Sequence, residues 1–203
     1  MTDYPPEPWY LGGSLLVSAF VVPLSDLPDI GDVKPIRLGR GALVGTAFAR
    51  YVAGGVLSYD ELLVAVPSRL GSRITIPQIW VDSPTSLAGG RELWAIPKEL
   101  GTFFRSETTD TASVKLESVA RLDARYGRRL LPGMTQLPLT TLQPTAAGDV
   151  VSRNRAIGRV SSLRASWTFD PDGPLSYLAG RRPFFSAAIR DASIIFGMDV
   201  QRP

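Results

Sequence analysis

Apolar runs separated by turn residues recur along most of this chain. Many of these runs are rich in Val, Ile, Leu and Phe, and several alternate apolar with polar positions, which is typical of strands. The pair Gly54-Gly55 separates two of the runs and predicts a tight turn between neighbouring strands. We therefore expect strands over 14–22, 42–52, 57–67, 73–81, 113–122, 156–169 and 184–198.

Helical signals are few. Ser83-Pro84 is a good N-cap and first-turn pair, so we expect a short helix to about Leu87 that Gly89-Gly90 ends. The segment 125–143 is less regular and predicts either a strand pair or a lid over a pocket. We expect residues 1–8, which are rich in proline, to form an extended arm. The pattern predicts a mainly β (α+β) protein with short helices and a single domain over 1–203.

Composition adds limits on function. The chain has 203 residues, 44% of them hydrophobic and 20% charged, which is ordinary for one globular domain with a sizeable core. The net charge is +3, but the arginines are scattered rather than gathered in a stripe with interleaved aromatic residues. We therefore expect no nucleic-acid partner.

Two residue types are missing, since the chain contains no histidine and no cysteine. A Ser-His-Asp triad, a histidine metal site, a thiol nucleophile and disulfides are thereby excluded. Acid–base chemistry falls to carboxylates, tyrosines and lysines. The N-terminus does not resemble a signal peptide and the longest apolar run is too short to span a bilayer, so we expect a cytoplasmic protein with no membrane partner.

Lys98 lies in an unusual setting. It follows Pro97 after the apolar run 93–96, and it is one of only three lysines among 22 basic residues. Apolar burial disfavours the charged form of a lysine, and a neutral amine attacks ketones and aldehydes to give a Schiff base. The alternative is a lysine whose ammonium reaches solvent from the rim of an apolar patch.

The residues around Lys98 carry a resemblance to a known family. The run GGRELWAIPKELG at 89–101 resembles the signature of the acetoacetate decarboxylase family, in which Gly-Arg-Glu precedes a short apolar run, Pro-Lys and a leucine. Upstream, Tyr59-Asp60-Glu61 matches a Tyr-x-Glu of that family, and the strand-like IWVDSP at 79–84 comes directly before the signature. The resemblance covers residues 9–105 well and the rest loosely.

The resemblance implies a curved antiparallel sheet or cone-like barrel, and a lyase acting on a small β-keto or other oxo acid, by decarboxylation. Lys98 would form the Schiff base and Glu61 would carry or orient a proton. Arg91, Trp94 and Glu99 are candidates for substrate binding. No cofactor or metal is needed because the imine itself is the electron sink, and a homo-oligomer is implied. The pair Arg91-Glu92 also fits a buried ion pair that orients the loop.

The sequence departs from the decarboxylases at three positions. Their reactive lysine is followed by a second lysine, which lowers its pKa, whereas this chain has Glu99. Adjacent strand residues point to opposite faces, so Glu99 need not face Lys98. An arginine and a first glutamate of the family are replaced by 12–14 (Gly-Gly-Ser) and 46–48 (Thr-Ala-Phe). These departures keep two alternatives open: a Schiff-base aldolase or dehydratase acting on an oxo acid, and a non-catalytic small-molecule binding protein.

Overall fold

A computed structural model describes residues 4–69 and 73–203. Strands dominate it, with one α-helix and two short 3-10 turns among the described residues. The strands are β1 (Trp9–Pro23), β2 (Arg37–Leu38), β3 (Gly41–Val52), β4 (Tyr59–Pro67), β5 (Arg73–Val81), β6 (Lys98–Leu100), β7 (Phe103–Glu107), β8 (Thr111–Leu116), β9 (Ala120–Arg129), β10 (Thr135–Thr145), β11 (Gly148–Phe169) and β12 (Phe185–Gln201). The helix is α1 (Pro84–Trp94).

Seven strands close into a ring. Their order is β10-β5-β4-β3-β1-β12-β11, and β11 pairs back onto β10. Most pairs are antiparallel, while β6 and β10 each pair with β5 in parallel. The first part of β11, 148–158, pairs with β10, and its later part, 161–169, pairs with β9, which carries β8 and β7 outward. The predicted mainly β fold with a curved, barrel-like antiparallel sheet is confirmed.

Strand register explains how the ring builds its interior. Val17, Ala47, Leu63, Ile79 and Lys98 are successive cross-strand neighbours on β1, β3, β4, β5 and β6. Because side chains alternate between faces, one such row projects to one side of the sheet. Four members are apolar and the fifth is the lysine, so the apolar interior ends on a charged group.

A second core lies between the ring and the outer strands. Trp167 stacks on Phe48 with ring centroids 5.3 Å apart and on Phe169 at 5.2 Å, while Phe20 meets both β11 rings edge-on. These contacts pack the later part of β11 over β1 and β3, and Phe103 of β7 meets Phe48 edge-on at 6.3 Å, which joins the outer strands to the same core.

The helix is longer than predicted. Ser83 caps it as expected, its Oγ accepting a hydrogen bond from the Ser86 N–H at 3.2 Å. The helix then continues through Gly89 and Gly90 and ends at Trp94, where Ala95 takes a left-handed conformation with φ 54°. The predicted end near Leu87 is therefore wrong. The glycines are used for close approach, since a Cβ on Gly89 would lie 2.4 Å from Trp9 Cζ2.

Two other expectations change. The run 113–122 forms two strands, β8 and β9, because the chain turns at Ser118, whose φ is 57°. In 125–143 the chain completes β9 and then begins β10, a wall of the ring rather than a lid.

Of the expected N-terminal arm, residues 1–3 lie outside the described residues, and 4–8 form no helix or strand. Within the described ranges, no helix has the length and apolar character needed to cross a bilayer.

Candidate active site

Lys98 begins β6 and points into the ring. Its residue is 3% exposed, and its aliphatic chain lies against Gly90, where an added Cβ would come within 2.6 Å of Lys98 Cδ. Only a glycine at this point of α1 leaves space for the lysine. The backbone of α1 at Gly90 therefore packs directly against the aliphatic part of the Lys98 side chain.

The Lys98 ammonium has three polar neighbours. Nζ lies 2.9 Å from Glu61 Oε2 and donates to Ser86 Oγ at 2.9 Å and to Tyr59 Oη at 3.5 Å. Nζ also lies 5.1 Å from the centroid of the Tyr59 ring. Glu61 is as buried as the lysine, at 3% exposed. Burying a charge is tolerated when an opposite charge and hydrogen bonds compensate it, and this pair has both.

Two tyrosines flank the carboxylate. Tyr51 and Tyr59 are cross-strand neighbours, and Tyr51 Oη donates to Glu61 Oε1 at 3.2 Å. Burial, and secondarily the charge of Glu61, raises the pKa of both phenols well above the usual value of about 10. Both phenols are therefore neutral groups beside a single ion pair: Tyr51 donates to Glu61, and Tyr59 accepts from Lys98.

These groups open onto a cavity of about 260 Å³. Among the described residues that line it, the polar side chains are those of Tyr51, Tyr59, Glu61 and Lys98, and the others are apolar apart from the indole N–H groups of Trp9 and Trp94. The Trp9 N–H donates to the Pro5 carbonyl, whereas the buried Trp94 N–H has no partner. The cavity thus joins a nucleophilic amine, a carboxylate and two phenols to an apolar space. Such a cavity with a few convergent polar groups is typical of a small-molecule site.

The structure separates the other candidate residues. Trp94 lines the cavity and is 2% exposed, with its ring packed edge-on against Trp9 at 4.8 Å and Phe196 at 4.6 Å. Arg91 is exposed and its Nε donates to the backbone carbonyl of Lys98 at 2.7 Å, so it holds the start of β6 from outside.

Glu99 faces away from the cavity, as strand alternation allows. It is exposed, and its Oε2 accepts from the Trp80 indole N–H at 3.0 Å. The expected buried Arg91–Glu92 ion pair is wrong, because both residues are exposed and Glu92 instead accepts from Tyr4 Oη at 2.8 Å.

Sequence reasoning assigned no role to Ser86, Tyr51 or Tyr59. The tyrosines carry a usable signal, since Tyr59 is two residues before Glu61 and therefore on the same face of one strand. Placing Tyr51 beside them needs the β3–β4 register, which pairs Ala49 with Glu61 and Tyr51 with Tyr59. The described residues contain no cluster of three or more metal-binding side chains.

Comparison with known proteins gives a family and a fold. The family model for acetoacetate decarboxylase matches residues 33–153. No curated protein sequence matches significantly. A crystal structure of acetoacetate decarboxylase from Legionella pneumophila superposes with a TM-score of 0.70 at 17% identity, covering 100% of this chain and 90% of the other.

Two further solved structures share the fold. The enduracididine biosynthesis enzyme MppR complexed with pyruvate gives a TM-score of 0.67 at 14% identity, covering 97% of this chain and 90% of that one. An acetoacetate decarboxylase-like enzyme from Sphingomonas wittichii RW1 gives 0.63 at 14% identity, with coverages of 98% and 94%.

Proposed function

This chain belongs to the acetoacetate decarboxylase family, and on that premise we propose that it is a lyase in which Lys98 forms a Schiff base with an oxo acid and releases CO2. The observation that carries the proposal is the buried Nζ, which lies at the cavity with Glu61 and Ser86 each 2.9 Å away. An amine held within reach of a proton acceptor is the arrangement that activates a nucleophile.

Proton movement between Lys98 and Glu61 begins the reaction. Transfer from Nζ to Oε2 gives a neutral amine and a neutral carboxylic acid. The nitrogen lone pair then attacks the ketone carbon, and a proton moves from nitrogen to the former carbonyl oxygen. Glu61 protonates that hydroxyl group, which leaves as water, and the product is a protonated imine beside the Glu61 carboxylate.

The protonated imine then accepts electrons. The electron pair of the bond to the carboxylate carbon moves into the carbon–nitrogen system, so CO2 leaves and an enamine remains. The carbon that had carried the carboxylate takes up a proton from solvent and regenerates the imine, and water hydrolyses this imine to release the ketone and restore Lys98. Tyr51 holds Oε1 of Glu61, so Oε2 stays directed at the nitrogen throughout. Ser86 and Tyr59 are positioning residues for Nζ.

Reductive trapping tests this proposal. Protein incubated with acetoacetate, pyruvate or a larger oxo acid is treated with borohydride, and the adduct is mapped by peptide mass spectrometry. We expect one adduct, on Lys98, which disappears in Lys98→Met and persists in Lys115→Met, because Lys115 is exposed on β8. No adduct with any oxo acid would refute the lysine mechanism and favour a binding protein with this fold.

A second reaction has support from one observation. Glu99 occupies the position of the decarboxylases' second lysine and is turned towards Trp80, so no second cation assists Lys98 there. An aldolase or dehydratase would use the same imine but form or break a different bond. Comparing CO2 release from 3-oxo acids with condensation of pyruvate and an aldehyde distinguishes the two reactions. CO2 release without condensation would exclude the aldolase.

A homo-oligomer is likewise part of the proposal and rests on the family resemblance. Phe184 and Phe185 support it, since these two adjacent residues are large apolar side chains at 60% and 50% exposure. Light scattering coupled to size-exclusion chromatography measures the mass, and a value of one chain, 22.0 kDa, would contradict it.

A further inference from the structure

The cavity has two unlike walls. The polar groups come from β3, β4 and β6, whereas the facing wall comes from β10, β11 and β12. On that second wall Leu137, Ala156 and Ile194 are direct cross-strand neighbours, and all three line the cavity. Leu139 lies two residues along β10 from Leu137 and also lines it. One end of a bound molecule therefore meets the amine, and the other end meets only hydrocarbon.

The two walls of the cavity also differ in charge. Among the described lining residues, Lys98 is the only cation and Glu61 the only anion, and they are paired with each other. The neutral phenols supply no charge. A charged group placed against β10–β12 would lose its water without gaining an opposite charge. The cation at Lys98, or the protonated imine formed from it, is the single place for a substrate carboxylate.

The size of the cavity also favours a ligand larger than acetoacetate. At about 30 Å³ for each water-sized group, 260 Å³ holds on the order of nine groups. Beyond its ketone carbon, acetoacetate carries one methyl group, which leaves the apolar wall without a partner. A longer hydrocarbon tail removes that apolar surface from water as well as its own.

We propose, resting on the proposed function, that the substrate is a 3-oxo acid with a hydrocarbon tail of several carbons. Its ketone and carboxylate lie at Lys98, and its tail packs against Leu137, Ala156 and Ile194. Loss of CO2 and uptake of one proton convert such an acid into a methyl ketone. The specificity for tail length belongs to β10–β12, separate from the imine chemistry of β4 and β6.

A series with a constant head group tests the proposal. Acetoacetate, 3-oxohexanoate and 3-oxooctanoate are compared in the rate of borohydride trapping on Lys98, with 3-oxoadipate as the analogue of 3-oxohexanoate that has a charged tail. Each buried methylene group is expected to raise the specificity about fourfold, or roughly 15-fold for each two-carbon step. We expect 3-oxoadipate to react more slowly than 3-oxohexanoate. Equal rates along the series, or a faster 3-oxoadipate, would overturn the proposal.

A matched pair of variants locates the tail. Ala156→Leu fills the cavity and is expected to abolish the advantage of 3-oxooctanoate while acetoacetate still reacts. Ala165→Leu is the control, because Ala165 is equally half-buried on the same strand but does not line the cavity. An Ala156→Leu variant that loses all chain lengths equally, or keeps the full preference, would contradict the assigned tail position.

Binding without imine formation separates this inference from the proposed function. Affinities of 2-alkanones of increasing length are measured by quenching of tryptophan fluorescence, since Trp9 and Trp94 line the cavity. Affinity that rises with length while no adduct forms on Lys98 would refute the Schiff-base proposal and support the apolar tail site. Trapping on Lys98 with no dependence on chain length would support the Schiff-base proposal and refute the apolar tail site.

Discussion

Replacing Glu61 with glutamine tests the buried ion pair most sharply. The substitution keeps the shape of the side chain and removes its charge, so the Lys98 ammonium is left buried among neutral groups with no opposite charge. Removing one partner of a buried pair costs about 3–5 kcal/mol. A typical domain has a total stability of about 5–15 kcal/mol, so the loss is a large part of it.

The control is a Glu→Gln substitution in an exposed pair. Arg202 Nη2 lies 2.8 Å from Glu7 Oε1, a distance similar to the 2.9 Å of Lys98 to Glu61. The side chains of Arg202 and Glu7 are 45% and 25% exposed, against 4% for both members of the buried pair. Exposed pairs contribute about 0–1 kcal/mol, so Glu7→Gln should cost little. Burial, and not distance, then accounts for the difference.

The assay is urea unfolding followed by circular dichroism, with the free energy of unfolding extrapolated to water. Lys98→Met should cost about as much as Glu61→Gln, because it leaves a carboxylate uncompensated. The double variant should recover most of the loss, since neither charge remains. If Glu61→Gln costs no more than Glu7→Gln, or if the two single losses add in the double variant, the reasoning is refuted.

Three further predictions concern the neighbours of the pair. Gly90→Ala should leave the protein unchanged or destabilised by up to about 2 kcal/mol, and it should slow imine trapping. The alanine gains about 1 kcal/mol of helix propensity, but its Cβ would lie 2.6 Å from Lys98 Cδ. A stabilised variant with normal trapping would contradict that packing. Tyr51 and Tyr59 have raised pKa values in the folded state. The stability they contribute is therefore present below about pH 10 and is lost as pH rises towards the folded pKa values. Replacing both with Phe should flatten the alkaline fall in the free energy of unfolding in urea, and an unchanged slope would refute their burial. Glu99→Gln should change the trapping rate little, because Glu99 is exposed and faces away from the cavity, and a large loss would show that its charge acts on Lys98.

Much of the fold follows from local pattern. Alternating apolar runs mark the strands that form the ring, and Ser83 marks the start of α1 by its capping chemistry. The end of that helix is not local, because Gly90 is tolerated inside it only where the Lys98 side chain packs against the bare backbone. The turn at Ser118 depends likewise on a left-handed conformation that serine does not signal.

The candidate site likewise combines residues that sequence motifs identify with residues that only the fold brings together. Lys98 and Glu61 stand in recognisable sequence motifs, and the structure brings them within 2.9 Å. Tyr51 and Ser86 join them through strand register and helix placement, which adjacent residues do not reveal. The motif that contains Arg91 and Glu99 does not show that both lie outside the cavity, since this depends on which face of β6 and α1 each occupies.

Exchange of the carbonyl oxygen tests the central claim that Lys98 forms an imine. A ketone that binds the cavity is incubated with the protein in water labelled with oxygen-18, and the ketone is analysed by mass spectrometry. Reversible imine formation expels the original oxygen as water, so wild-type protein and Lys115→Met should both accelerate labelling above the rate in buffer, and Lys98→Met should not. Labelling at the buffer rate with wild-type protein, or acceleration that survives in Lys98→Met, would contradict the mechanism.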